Sequence, residues 1–238
     1  MSVLLLSLFC LATSIGICVG VFLRHGARRK STLSQSLPPV VTVWTPPVKR
    51  PALWLAVRGR SLLDVKSALG VANAKPCPVA DALETDQRIF ISPPVNGWVL
   101  VVGSDLPDPA EDVDACFRFV VNASRRLGHV QFFAANPILH QHAWVRADKG
   151  RVVRAYAWAG RTVWKQGKRT PAEEELEVCC PDSSAEAASP LQGGWEAAAA
   201  NTEKVALLAS RWSLDPGSLE PSAWQVGQGL AGEVGLRY

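Results

Sequence analysis

Arg88-Ile-Phe-Ile-Ser92-Pro-Pro-Val-Asn-Gly97-Trp98-Val-Leu-Val-Val102 is the stretch on which the fold turns. Two runs rich in β-branched and aromatic residues flank a turn segment, which is the composition of a strand pair. Asn96-Gly97 supplies the positive φ that a tight hairpin needs. Toward the N-terminus, Ala52-Leu-Trp-Leu-Ala-Val57 is an apolar run suited to a central strand. Arg58-Gly-Arg60 turns it, and Ser61 caps a helix whose apolar stripe is Leu62, Leu63, Val65 and Leu69. Gly70 ends that helix. Residues 73–86, with Lys75-Pro-Cys-Pro78, read as irregular apart from a short helix at Val79 to Leu83. Toward the C-terminus, Asp108-Pro109 opens a helix from Ala110 to Leu127. Its acidic residues (Glu111, Asp112, Asp114) crowd the first turn and Arg125-Arg126 the last, as the helix dipole favours. Gly128 stops it, and His129-Val-Gln-Phe-Phe-Ala134 is the next strand.

The order from Ala52 to Ala134 is therefore strand, helix, strand, strand, helix, strand. This is the order of the ferredoxin-like βαββαβ unit. A β-meander extends it: His140 to Ala147, Arg151 to Trp158 and Arg161 to Lys165, with turns at Asp148-Lys-Gly150 and Ala159-Gly160. Pro171 to Leu176 begins a helical turn, residues 181–194 read as a loop, and Asn201 caps a helix running to Trp212. The final glycine-rich stretch reads as extended. The expected fold is α+β, an antiparallel sheet with helices over one face.

Before this domain comes Val3-Leu-Leu-Leu-Ser-Leu-Phe-Cys-Leu-Ala-Thr-Ser-Ile-Gly-Ile-Cys-Val-Gly-Val-Phe-Leu23, a run without charge. A helix of that length spans roughly 31 Å, the hydrocarbon thickness of a bilayer. The expected organisation is a transmembrane anchor over residues 1–23, a basic, Pro/Ser-rich tether over 24–50 and a soluble domain over 51–238. A cleaved signal peptide is the rival reading. The usual basic n-region is missing, and no A-x-A site follows the run. Arg24, Arg28, Arg29 and Lys30 follow the span directly, so positive charge places the domain on the cytoplasmic side of a single-pass inner-membrane protein. If the segment is cleaved, the domain is periplasmic.

The formal charge of +4 belongs to that segment. Six of the 25 basic residues and none of the 21 acidic ones lie in residues 1–50, which leaves 19 basic against 21 acidic in the domain. A near-neutral domain is not a nucleic-acid-binding one. Its four cysteines, Cys77, Cys116, Cys179 and Cys180, are too few and too irregular for a secreted disulfide framework.

The candidates for chemistry are few. His140 and His142, two apart on a strand, would face one side as metal ligands do, but no further ligand is spaced to join them; Asp148 lies in a turn and His129 on another strand. Cys179-Cys180 forms no C-x-x-C motif, and Cys77 has no activating neighbour in sequence. Glu173-Glu-Glu175 with Glu177 reads as a solvated carboxylate face. Arg146, Arg151, Arg154 and Arg161 would line an anion-binding face or guard a strand edge, with Arg146 and Arg154 opposite each other across the turn. Scattered tryptophans read as core and groove packing. The chain has no P-loop, G-x-G-x-x-G, G-x-S-x-G or H-E-x-x-H. No catalytic, cofactor-binding or metal-binding residue is assigned, and the balance leans away from an enzyme.

Ile91-Ser-Pro-Pro-Val-Asn-Gly-Trp-Val-Leu-Val-Val-Gly103, Gly128-His-Val-Gln-Phe-Phe133, His142-Ala-Trp-Val-Arg-Ala147, Arg154-Ala-Tyr-Ala157 and Trp212-Ser-Leu-Asp-Pro216 resemble a group of uncharacterised single-domain bacterial proteins. The resemblance covers about residues 52–215 and carries over no active-site residue. Small proteins of this kind are often immunity proteins for secreted toxins, so it implies a protein partner, a toxin foremost. The expectation is a membrane-anchored, non-enzymatic protein-binding domain. The alternatives are an enzyme or ligand- or metal-binding domain using the sheet face, and a structural part of an envelope complex.

Overall fold

In the computed structural model of the chain, residues 50–84, 87–182, 194–218 and 228–234 are described. The anchor and all of the tether but Arg50 lie outside these residues, as does most of the expected 181–194 loop. Among the described residues no helix is long and apolar enough to cross a membrane.

Asn96 (φ 50°) and Gly97 (φ 79°) close a two-residue turn between Val95 and Trp98. It joins β3 (Ile89–Ile91) to β4 (Trp98–Val102), which pair antiparallel. β1 (Leu53–Arg58) lies against β4 on one side and β5 (His129–Asn136) on the other, both antiparallel. Helix α1 (Leu62–Leu69) follows β1. Ser61 and Asp64 form a reciprocal capping box at its start, and Gly70 in the left-handed region ends it. β2 (Val71–Cys77) comes next, where an irregular segment was expected. Lys75-Pro-Cys-Pro78 hides a strand because proline is excluded only where the ladder needs its N–H. β2 is an edge strand and needs no donor on its outer side.

After α2 (Val79–Glu84) and the hairpin comes α3 (Val113–Leu127). It begins three residues later than expected, because Asp112 rather than Asp108 is the N-cap and accepts from Ala115 N. Asp108 instead holds a preceding turn through Ala110 N. β6 (Gln141–Asp148), β7 (Arg151–Trp158) and β8 (Thr162–Gln166) form the meander. Then follow α4 (Pro171–Glu175), α5 (Gly194–Ala199), α6 (Asn201–Trp212) and β9 (Gly229–Val234). The fold is α+β with one nine-stranded antiparallel sheet in the order β2-β9-β3-β4-β1-β5-β6-β7-β8.

The expectation that helices cover one face is corrected. Strand alternation sends Leu55, Val57, Val99, Val101, Val130 and Phe132 to a first face, where they pack with Val65 of α1 and Phe119 and Val120 of α3. The second face carries Trp54, Phe90, Phe133, Trp144 and Tyr156, covered by Val205 and Leu208 of α6 and by Val178. Nearly every residue of the central strands is apolar, as a sheet buried on both sides requires.

Candidate functional site

Register arranges the second face in rows. Phe90, Val102, Trp54, Phe133, Trp144 and Tyr156 are successive partners across six strands and make one continuous, largely aromatic row. Two positions along, Leu100, Ala56, Gln131, Arg146 and Arg154 form a second row. Beyond it Trp98 pairs with Arg58, and His129 pairs with Asp148. The face thus runs from a dry aromatic centre to a polar rim.

Arg154 and Glu173 are an ion pair buried to 1 % and 0 % exposure, with Nη2 to Oε1 at 2.7 Å. Glu173 also accepts from Trp144 Nε1 at 2.8 Å and from Thr170 N at 2.8 Å, the latter as part of a capping box. Arg154 donates further to the carbonyls of Ala155 and Gln166. Burial alone would raise Glu173, but hydrogen bonds from Arg154, Thr170 and Trp144 hold its pKa below the ordinary carboxylate value. This corrects two expectations: Glu173 is not part of a solvated face, and Arg154 is neither an edge charge nor a free anion ligand. The pair clips the start of α4 onto the sheet. Arg146 does lie opposite Arg154, whereas Arg151 and Arg161 are exposed.

The histidines are not brought together. His140 sits in the turn before β6 at φ 52°. His142 is buried, stacked on Trp144 at 5.5 Å, with Nδ1 3.0 Å from Thr202 Oγ1. Thr202 gives its own proton to Ala199 O, so His142 Nδ1 must donate and Nε2 carries the lone pair. Burial pushes His142 down to about 3. His129 lies at the other end of the sheet, six register positions from the Ala135–His142 pair. Among the described residues no group of three or more His, Cys, Asp or Glu side chains is placed to hold a metal.

Three of the thiols are protonated at neutral pH. Burial raises Cys116 well above the ordinary range, takes Cys180 up to about 11, and with Asp81 raises Cys77. Cys179 is held by Asn201, whose amide nitrogen donates to Cys179 O and whose oxygen accepts from Cys179 N.

What the structure does assemble is the rim. The Arg58 guanidinium lies 6.0 Å from the centre of the Trp98 ring, and Trp98 meets His129 edge-on at 5.8 Å. Arg146 lies 5.1 Å over Trp212, the last residue of α6. Gln131, 1 % exposed, donates to Trp212 O and contacts His129 Nε2, both at 3.1 Å. Gln131 Oε1, Arg146 Nε, Trp212 Nε1 and Ser213 Oγ are buried without hydrogen-bond partners among the described residues. Burial, with Arg146 and Arg58 nearby, lowers His129, against the pull of Asp148. Trp98, His129, Arg146 and Trp212 are half-buried and Arg58 is exposed.

Of these, sequence reasoning named only His129 and Arg146. The usable signal was parity. Trp98 and Leu100 alternate with the core residues Val99 and Val101, so the register of the hairpin already placed Trp98 on the second face. Trp212 could be assigned only once α6 was known to lie there. No family model, no curated protein and no solved structure matches the chain.

Proposed function

We propose that this chain is a non-enzymatic, protein-binding domain, anchored through residues 3–23 in a bacterial inner membrane and facing the cytoplasm. The partner is a protein, a delivered toxin foremost, and the chain acts as its immunity protein. The block β3-β4-β1-β5, with α1 and α3 on the first face, is read as the ferredoxin-like unit that carries the meander.

The observation that carries the reading is the rim. Two half-buried tryptophans, each with an arginine over its ring, and a histidine between the strands form the kind of cluster from which interface hot spots are made. Such groups hold much of their surface pre-ordered, so little is lost on binding. The sheet edges argue for a face rather than strand addition. β2 carries Lys75, Pro76 and a bulge, which block pairing. At the other edge β8 has only five residues, and a short edge strand offers little to pair with.

The test is affinity purification of the tagged full chain from its host. Wild type should retain one protein in stoichiometric amount. Arg58→Ala/Trp98→Ala should bind it about 30-fold more weakly, the scale of a hot-spot loss. Recovery of no stoichiometric protein would count against the proposal, and undiminished binding by the variant would move the interface elsewhere.

A further inference from the structure

Arg58 and Arg146 carry positive charge that no acidic group answers. Among the described residues neither guanidinium forms an ion pair or a hydrogen bond, whereas Arg50, Arg88, Arg154 and Arg211 each meet a carboxylate. Asp148 shares the outermost row of the second face with Arg58 and forms an ion pair with neither rim arginine. Arg118, Arg151 and Arg161 also lack a partner among the described residues, but they are exposed and no aromatic ring holds them.

The rim arginines are held as well as unpaired. Each lies over an indole ring, which orders a long side chain before any ligand arrives. Gln131, itself 1 % exposed, steadies the second ring by donating to Trp212 O. Arg146 Nε is buried without an acceptor, and the other donors of that half-buried side chain reach solvent. The unused hydrogen-bonding capacity of the rim is mostly donor: Arg146 Nε, Trp212 Nε1 and Ser213 Oγ stand against Gln131 Oε1. A negatively charged acceptor is what such a set lacks. Spacing says how many. Arg58 and Arg146 are two strands and two positions apart, which separates their Cα atoms by roughly 12 Å. Arg58 leans over Trp98 on β4, the strand on the far side of β1 from β5 and β6, and so away from Arg146. The two guanidiniums are therefore separate seats, which no single phosphate bridges. With 19 basic and 21 acidic residues in residues 51–238, the charge is local to the rim. Local charge suits carboxylates on a protein and not the continuous charge of a nucleic acid.

We propose that the rim receives an acidic segment of the protein partner, with one carboxylate seated on Arg58 and a second, on the same segment, seated on Arg146. The inference rests on the reading of the rim as a protein-binding face. Binding at the first seat raises the effective concentration of the second carboxylate, so the two seats act together.

The experiment follows the arginine Nε–H signals of the full chain, labelled with nitrogen-15 and held in neutral detergent, by nuclear magnetic resonance. The probe is hexaglutamate, with hexaglutamine as its uncharged reference. The signals of Arg58 and Arg146 should shift with hexaglutamate and not with hexaglutamine, and that of Arg118 on α3 should stay in place. Because Arg58 is exposed, Arg58→Gln should fold as wild type does, yet the hexaglutamate concentration that shifts Arg146 should rise about tenfold. No shift at the two rim arginines, or an equal shift with hexaglutamine, would overturn the proposal. An unchanged Arg146 response in Arg58→Gln would show two independent anion seats and overturn it also. Stronger shifts from inorganic phosphate or from a DNA duplex, compared at equal charge, would assign the rim to phosphate groups instead. Any of these results beside a protein retained in the affinity purification would leave the protein-binding reading standing. The expected shifts with no protein retained would overturn that reading and this one together.

Discussion

Arg154 and Glu173 are balanced only as a pair. With both charges out of water, removing one partner leaves the other uncompensated, at a cost of about 3–5 kcal/mol. Arg154→Met should therefore be strongly destabilised at neutral pH, measured by denaturant unfolding. Its pH dependence gives a sharper check. In the wild type Glu173 is held below its ordinary 4.5, so its stabilisation is present above that value and is lost as pH falls. Without the guanidinium, burial dominates and the folded pKa rises above 4.5. The stabilisation is then present in acid and lost as pH rises through the new value. Relative to Arg154→Met/Glu173→Gln, which cannot titrate there, Arg154→Met should recover on acidification. A parallel slope would show that the carboxylate is not buried as described. His142 adds a separate term. It is neutral in the fold down to about 3 but takes up a proton at about 6.5 when unfolded, so its contribution is present above 6.5 and is lost as pH falls between those values. The slope is about 1.4 kcal/mol per pH unit for one group. His142→Phe keeps a ring to stack on Trp144 and should flatten that part of the curve; an unchanged slope would place the titration elsewhere.

At the scale of elements, legibility followed locality. The hairpin at Asn96-Gly97, the cap at Ser61 and the stop at Gly70 rest on residues within a few positions of one another, and each reads directly. Glu173 was misread because a run of three glutamates resembles a solvent face. The nearer signal was Thr170-Pro-Ala-Glu173, a capping box with proline at the first helical position. Asn201 was expected to cap α6, but its side chain is committed to Cys179, and Ala200 stands at the cap with no side-chain bond. That pairing spans 22 residues, and no local rule finds it. β2 escaped notice for the opposite reason, because its proline is a guard on an edge. Lys75→Val/Pro76→Val should leave the monomer fold intact, since Lys75 and Pro76 lie on the edge strand, yet expose a smooth strand edge. Light scattering of the purified full chain should show concentration-dependent association that wild type lacks; equal behaviour would mean that the bulge between Ala72 and Lys75 guards the edge unaided.

For the molecule as a whole, every element from β1 to β5 except β2 was readable, but the second helical layer was not. α6 lies more than 30 residues beyond the last strand of the meander, and only packing tells which face it covers. The aromatic row it covers explains why tryptophan read as core, and the same helix turns Trp212 into part of the rim. The proposed side of the membrane rests on physics of a different kind, the positive-inside rule. Four basic residues directly follow the apolar run, and in the proposed topology their retention on the cytoplasmic side would set the direction of insertion. The proposal therefore makes a topological prediction that separates it from a cleaved signal peptide. A reporter active only in the cytoplasm, fused after Tyr238 and expressed in a bacterial host, should be active, and one active only in the periplasm should be silent. Mass spectrometry of the membrane fraction should find peptides from residues 1–23 still joined to the domain. Replacing Arg24, Arg28, Arg29 and Lys30 with serine while adding lysines ahead of Val3 should exchange the two reporter signals, because the span itself has no preferred direction. A periplasmic signal from the unaltered chain, with residues 1–23 missing, would place the rim and any partner on the far side of the membrane.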